Sequence, residues 1–446
     1  MTIAAISTAN AQGGIGIVRI SGPYAIVIAD KIFCGKERVA EMKSHTIHLG
    51  KIVVDGAFID QVLLSLFKAP NSYTGEDIVE INCHGGLFVC RMILDAVISA
   101  GARQAEPGEF TKRAFLNGKI DLSQAEAVAD IISANTQDSV TVAANQLEHG
   151  LSDKINKVRQ NLIDTTGHLL ASIDFSEEGV PDLSYDELKI SILSAKETVS
   201  ELLRTADDGR IIKDGINAAI VGAANVGKSS LLNAISGYER AIVTDIAGTT
   251  RDVLESQVNI RGCKINLLDT AGIRESKDTV EKIGIDRSKE AIETADIVFL
   301  VLDGSREIND EDKAVISLLD KSKVICLLNK SDLGIKANVG DGYEKVFEIS
   351  AKTGEGLETF FSYIADKYKA GDITKRVIIT NQRHKNSLIT AKRLLKSVEN
   401  AVNSGVPFDI ILGDIELAVS ALGEISGMTV SEELIENIFE NFCVGK

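Results

Sequence analysis

Proline is scarce in this chain, five in 446 residues, and no tract rich in serine, glycine and proline interrupts it. That excludes long flexible linkers, so domain boundaries must be read from changes of pattern and the joins should be short. The six cysteines (Cys34, Cys83, Cys90, Cys263, Cys326, Cys443) are scattered and form no C-x-x-C pair. Their spacing argues against a zinc site or a disulfide scaffold and fits packed thiols in a reducing cytosol. Apolar runs such as Ile297 to Leu302 are strand-sized, and none has the length of a membrane span. The N-terminal stretch lacks the basic start, long apolar segment and cleavage site of a secretory signal and is poor in arginine, so a cytoplasmic protein is expected. Basic charge is also in deficit: the formal net charge of −16 argues against indiscriminate nucleic-acid binding and confines any RNA contact to local basic patches.

What is present is the composition of a soluble globular protein, 44% hydrophobic and 25% charged, in a chain long enough for three domains. Residues 1–118 mix β-branched runs (Gly16 to Ile20, Ile78 to Ile81) with Gly-rich turns and an apolar helix near Leu87 to Ile98, which reads as an α+β domain. From Leu122 the spacing turns helical, with Leu122, Ala125, Val128, Ala129 and Ile132 on one face, and it returns after residue 380 at Leu388, Ala391, Leu394, Leu395 and Val398. Residues 119–210 and 372–446 are therefore expected to be two halves of one all-α domain. Between them, over 211–371, apolar runs at Ala218 to Val221, Ile265 to Leu268, Ile297 to Leu302 and Val324 to Leu328 alternate with helical stretches, the pattern of an inserted α/β domain with a parallel sheet. The expected fold class is multidomain: α+β, all-α, and an inserted α/β P-loop domain.

Gly222 to Ser229 reads G-A-A-N-V-G-K-S between an apolar strand and a helical L-L-N-A. This is the context a phosphate-binding P-loop requires. Asn225, Val226, Gly227, Ser229 and Ser230 would wrap the phosphates with backbone N–H groups and hydroxyls, Lys228 would place a point charge on them, and Ser229 would ligate magnesium. A Gly-rich turn alone would prove little. Three further motifs follow in order: Asp269-Thr270-Ala271-Gly272 after a strand, where the acid can serve magnesium; Asn329-Lys330-Ser331-Asp332 after another; and Ser350-Ala351-Lys352. The Asp332 carboxylate can accept from guanine N1–H and the exocyclic amine together, a pair adenine does not offer. Ser350, Ala351 and Lys352 resemble the loop that backs guanine in translation-factor-like GTPases. The run Thr244-Asp245-Ile246-Ala247-Gly248-Thr249-Thr250 lies where a switch loop would contact the nucleotide, and Thr250 is the choice for capping magnesium. Ile273 occupies the position after D-x-x-G where Ras-like enzymes have a water-orienting Gln, so another group must act; Arg274, Glu275, Asp278 and Glu281 are the nearby candidates.

These motifs, with T-D-I-A-G-T-T-R-D, D-T-A-G-I-R, G-G-I-G-I-V-R-I-S-G, N-S-Y-T-G-E-D-I-V-E, C-H-G-G, P-G-E-F-T-K-R-A-F-L-N-G-K and the terminal F-C-V-G-K, make the whole chain resemble the MnmE (TrmE) family of tRNA modification GTPases. The resemblance implies a homodimer formed through a folate-binding N-terminal domain. It implies potassium at Asn225, Thr244, Ile246 and Thr249, and it singles out Glu281 for water orientation. A tetrahydrofolate derivative is implied at Arg19, Glu80, Lys119 and Lys446, and Cys443 falls where the family has a cysteine of suspected importance. It further implies an FAD-carrying partner, MnmG (GidA), with tRNA as substrate: an aminomethyl or carboxymethylaminomethyl group is added to C5 of the wobble uridine. A ribosome-assembly GTPase is the alternative, which the N-terminal motifs and the tail disfavour.

Overall fold

The computed structural model describes residues 1–148, 150–174, 184–238, 254–268, 292–368, 373 and 376–446. They divide into two compact units: Met1–Ala129 with Gln146–Val199 and Ser387–Lys446, and Asp130–Asn145 with Ser200–Asn386.

The first unit contains a sheet of β1 (Ile3–Ile6), β2 (Ile15–Ser21), β3 (Phe33–Gly35), β4 (Thr46–Val54), β5 (Ala57–Phe67), β6 (Ile78–His84) and β7 (Arg103–Gln104), in the order β3-β4-β5-β6-β2-β1-β7. Alternation along the strands sorts its faces. Val18, Ile20, Leu64, Leu66, Val79 and Ile81 form one core with residues of the helices Ala25–Ile32 and Leu87–Ser99, including Ile28, Ile93 and Val97. On the other face Leu49 and Leu63, register partners across β4 and β5, are 61% and 46% exposed, and Ile47 beside them is exposed too.

In the same unit the helix Gly150–Asp174 packs along Phe408–Ser426. Leu151, Ile155, Leu162 and Leu169 are buried at helical spacing on the first, and Ile411, Ile415, Ala418 and Leu422 on the second. Segments on either side of the inserted stretch thus share one packed layer, and Lys196 Nζ reaches Glu399 at 2.6 Å to add an ion pair between two more of its helices. A last helix, Glu432–Glu440, is capped by Ser431 Oγ, which accepts from Leu434 N at 3.3 Å, and it buries Phe439 against Leu122 and Ala125.

The second unit holds β8 (Ile216–Val221), β9 (Leu254–Ile260), β10 (Cys263–Leu268), β11 (Ile297–Asp303), β12 (Val324–Asn329) and β13 (Lys345–Glu348), in the order β13-β12-β11-β8-β10-β9. All neighbours are parallel except the β9–β10 hairpin. Both faces are covered: Phe299, Val301, Ile325 and Leu327 pack with residues of the helices Lys228–Tyr238 and Leu357–Tyr368, while Leu300, Leu302, Cys326 and Leu328 belong to a second core. This double burial is why the strands read as unbroken apolar runs. Because the strands are parallel, the segments after β8, β10, β11, β12 and β13 all leave from one edge, where open α/β sheets bind ligands.

Four cysteines (Cys83, Cys90, Cys263, Cys326) are buried thiols, whereas Cys34 and Cys443 are exposed; burial pushes the Cys326 thiol up to about 12. Among the described residues no helix is long and apolar enough to cross a membrane.

Candidate functional site

The chain leaves β8 at Gly222, whose φ of +157° puts a hypothetical Cβ 2.2 Å from the Val301 carbonyl oxygen, so only glycine lets the loop pass this close to β11. Asn225 (φ +60°) and Gly227 (φ +100°) turn the backbone through left-handed conformations before the helix begins at Lys228. Val226 is buried beneath the turn, while Asn225, Ser229 and Ser230 are exposed above it. The result is a loop ending in a helix N-terminus with unpaired N–H groups, a fit for phosphate oxygens. Lys228 Nζ donates to the carbonyls of Gly222 and Ala223, both at 2.7 Å. Among the described residues no carboxylate pairs with it, and burial lowers its pKa. A cation held on loop carbonyls without a counter-charge suits an arriving polyanion.

Asn329, the last residue of β12, is 3% exposed. Its Nδ2 donates to Val226 O at 2.8 Å and its Oδ1 accepts from Ala351 N at 2.9 Å, so one side-chain amide joins the P-loop to the Ser350-Ala351-Lys352 loop. Its backbone oxygen accepts from Gly304 N at 2.7 Å. Ser350, fully buried, donates through Oγ to Asp332 Oδ1 at 2.7 Å. Asp332 itself is exposed, which leaves its carboxylate open to a base. Lys330 takes a left-handed conformation (φ +68°) and its Nζ lies 2.6 Å from Asp303 Oδ2. Burial alone would raise the Asp303 pKa, but hydrogen bonds from Lys330 and Ser305 outweigh it and hold the carboxyl below the usual range. Lys352 is exposed at the rim.

Thr244, Asp245, Ile246, Ala247, Gly248, Thr249, Thr250, Asp269, Thr270, Ala271, Gly272 and Glu281 lie outside the described residues, as do Ile273, Arg274, Glu275 and Asp278. Asp269 directly follows Leu268, the end of β10.

A second cluster lies in the other unit. Arg19 and Glu80 face each other across β2 and β6 and pair at 2.8 Å. The Arg19 guanidinium lies 5.8 Å from the Tyr73 ring centroid and 5.6 Å from that of Phe110, within cation–π range. Burial raises the Tyr73 pKa against the opposing effect of its 2.9 Å hydrogen bond with Thr111 Oγ1. The C-terminal residues dock here too: Gly108 N donates to Cys443 O at 3.3 Å, Phe110 N to Lys446 O at 3.2 Å, and Ser7 Oγ to Gly445 O at 3.0 Å. Lys119 Nζ donates to Pro70 O at 3.2 Å, at the base of the loop that carries Tyr73. Arg19 and Glu80 thus form a charge pair, with Lys119 and the chain end on the neighbouring loop and helix. An arginine, a lysine and aromatic faces suit an anionic ligand with a flat ring, although part of the charge on Arg19 is answered by Glu80.

Two family models match, the MnmE helical domain over residues 122–443 and the GTP-binding protein TrmE N-terminus over residues 2–119. The chain is 47% identical over 456 residues to the tRNA modification GTPase MnmE of Alkaliphilus oremlandii, covering 100% of this chain and 99% of that protein. It is also 47% identical over 458 residues to the tRNA modification GTPase MnmE of Thermoanaerobacter pseudethanolicus, again covering 100% and 99%. The chain belongs to the MnmE family of tRNA modification GTPases.

In this MnmE-family chain several contributors are not singled out as site residues by the sequence. Asp303 reads as a strand-end acid, its local signal the Asp303-Gly304 pair closing an apolar strand, and Tyr73 and Phe110 sit inside N-S-Y-T-G-E-D-I-V-E and P-G-E-F-T-K-R-A-F-L-N-G-K but read there as ordinary aromatics. Val301 limits the P-loop through its backbone alone. Gly227 shows how tightly this loop is fitted, because a Cβ there would stand 2.2 Å from Asn329 Nδ2. Gly227→Ala combines left-handed strain of roughly 1–3 kcal/mol with a damaged Asn329 bridge. We expect at least about a tenfold loss of GDP affinity by calorimetry, together with a lower unfolding midpoint. A lower midpoint with unchanged GDP affinity would separate the bridge from nucleotide binding.

Proposed function

We propose that this chain is a potassium-activated GTPase. With the FAD-carrying protein MnmG (GidA), it adds an aminomethyl or carboxymethylaminomethyl group to C5 of the wobble uridine of certain tRNAs. A tetrahydrofolate derivative supplies the one-carbon unit. The observation that carries this reading is the family match along the whole chain, combined with the Asn329 bridge between the P-loop and the Ser350-Ala351-Lys352 loop. On this reading residues 1–118 form the folate-binding and dimerisation domain, 119–210 and 372–446 the helical domain, and 211–371 the GTPase domain, in a cytoplasmic protein.

Within the GTPase domain, Lys228 would hold the β- and γ-phosphates, Ser229 and Thr250 would hold magnesium, Asp269 would serve the metal side, and Asp332 would read guanine. Glu281 orients the attacking water. Potassium, held by Asn225, Thr244, Ile246 and Thr249, would supply positive charge where phosphoryl transfer develops negative charge. Asn225 is exposed in a left-handed turn, where its side-chain oxygen would be available to that ion. In the folate domain, Arg19, Lys119 and Lys446 meet the folate carboxylates while Glu80 meets the pterin edge. The open apolar face at Ile47, Leu49 and Leu63 supports a homodimer, since apolar sheet surface of this kind gains from burial in a second copy. GTP hydrolysis drives a conformational change and makes no bond on the uridine.

The reading is tested by GTP turnover in potassium and in sodium buffer at matched ionic strength, with wild type beside Asn225→Ala. Wild type should turn over at least about tenfold faster in potassium, and the variant should lose that difference, as expected for one electrostatic stabiliser of the transition state. Equal wild-type rates in both salts would remove potassium activation from the reading and leave the family assignment standing.

A further inference from the structure

Between the β9–β10 hairpin and the helices Gln137–Leu147 and Ala206–Asp214 lies a cavity of about 210 Å³, contained within the second unit and, among the described residues, lined by none from the nucleotide motifs. Its charges are unevenly answered. Lys213 is neutralised by Asp130 at 2.8 Å. Lys264, on β10, is half-buried, and its Nζ makes one hydrogen bond among the described residues, a long 3.3 Å contact to the Lys213 carbonyl. Among the described residues no carboxylate lies within ion-pair distance of it. Asp214 is the acid that acts on it from further away, and burial lowers its pKa despite that acid. The walls also hold spare hydrogen-bonding capacity. Thr380 Oγ1 is buried with no partner among the described residues. Asn135 Nδ2 and Gln257 Oε1 meet at 3.5 Å, too long for a strong bond.

We propose that this cavity binds a small organic monoanion, a carboxylate with a hydroxyl arm, its carboxylate on Lys264 and its arm among Asn135, Gln257 and Thr380. Size and charge set the class. A cavity of about 210 Å³ has room for a compact organic ion. One negative charge answers Lys264, while a second would be pressed toward Asp130 and Asp214 and repelled. A purely apolar guest would leave the Lys264 ammonium and Thr380 hydroxyl without partners, at a desolvation cost. The site is distinct from the nucleotide and folate positions and does not depend on their assignment.

Calorimetric titration of the full-length protein with glycolate tests this, with malonate and inorganic phosphate as comparison ions. Glycolate should bind saturably, malonate and phosphate at least about tenfold more weakly. Lys264→Met should weaken glycolate at least about tenfold. Asn135→Leu should weaken it by a smaller factor, and GDP affinity serves as the fold control for both variants. No saturable glycolate binding, or binding unchanged in both variants, overturns the proposal and leaves a water-filled cavity. Phosphate or malonate binding as tightly as glycolate overturns the charge assignment. Neither result alters the GTPase reading, which the GDP titration follows separately.

Discussion

Asp332→Asn should shift nucleotide preference from GTP towards xanthosine triphosphate. Guanine offers two donors to the carboxylate, N1–H and the exocyclic amine, whereas xanthine offers N1–H and a carbonyl. Ser350 Oγ donates to Asp332 Oδ1 at 2.7 Å from a fully buried position, so in the variant the serine holds the amide oxygen and turns Nδ2 to the second position on the base. An N–H facing the guanine amine replaces a charge-assisted bond with a donor–donor clash. GTP affinity should fall roughly a hundredfold or more, about 3 kcal/mol, while xanthosine triphosphate gains. Competition of the two triphosphates against a fluorescent nucleotide measures both. Unchanged GTP affinity would remove Asp332 from base recognition.

Lys228→Met should lower kcat for GTP hydrolysis about a thousandfold, because the methionine keeps the length of the side chain and removes the charge on the transferring phosphoryl group. The nucleotide-free variant should nevertheless be no less stable than wild type. Burial lowers the Lys228 pKa from its usual 10.5, and the carbonyls of Gly222 and Ala223 are its only hydrogen-bond acceptors among the described residues. A lowered lysine pKa means that the unfolded chain binds the proton more tightly than the folded one. Between the lowered value and the usual one, the Lys228 contribution therefore makes the folded state more stable as pH rises. Denaturant titrations of the nucleotide-free proteins across the alkaline range should show this rise in wild type and lose that component in the variant. A variant kcat within tenfold of wild type would exclude Lys228 from phosphate catalysis.

The central strands of the nucleotide-binding sheet are legible as apolar runs because helices cover both of its faces. Their ends are less so: β11 runs on to Asp303 and β12 to Asn329, polar residues that stay in the ladder and begin the site. Strand β9 escapes an apolar-run criterion because Leu254-Glu255-Ser256-Gln257-Val258-Asn259-Ile260 is polar at most positions. Its real signal is the turn Arg261-Gly262, both residues left-handed as a two-residue hairpin needs. In the site, G-A-A-N-V-G-K-S and Asn329-Lys330-Ser331-Asp332 are legible because each is a local stretch with a local task. The bonds among them are not: Asn329 meets Val226 across 103 residues of sequence, and Lys330 meets Asp303 across 27. The Arg19–Glu80 pair is hidden for the same reason, since it depends on the register of two strands 61 residues apart. The cavity at Lys264 is drawn from several separate segments and leaves no trace in any one of them.

The Asn329 amide makes two loops of the site one mechanical unit. Its two ends hold Val226 O and Ala351 N, so neither loop moves without disturbing a hydrogen bond that the same side chain gives the other. Displacement of either loop is therefore felt by the other through a single buried side chain.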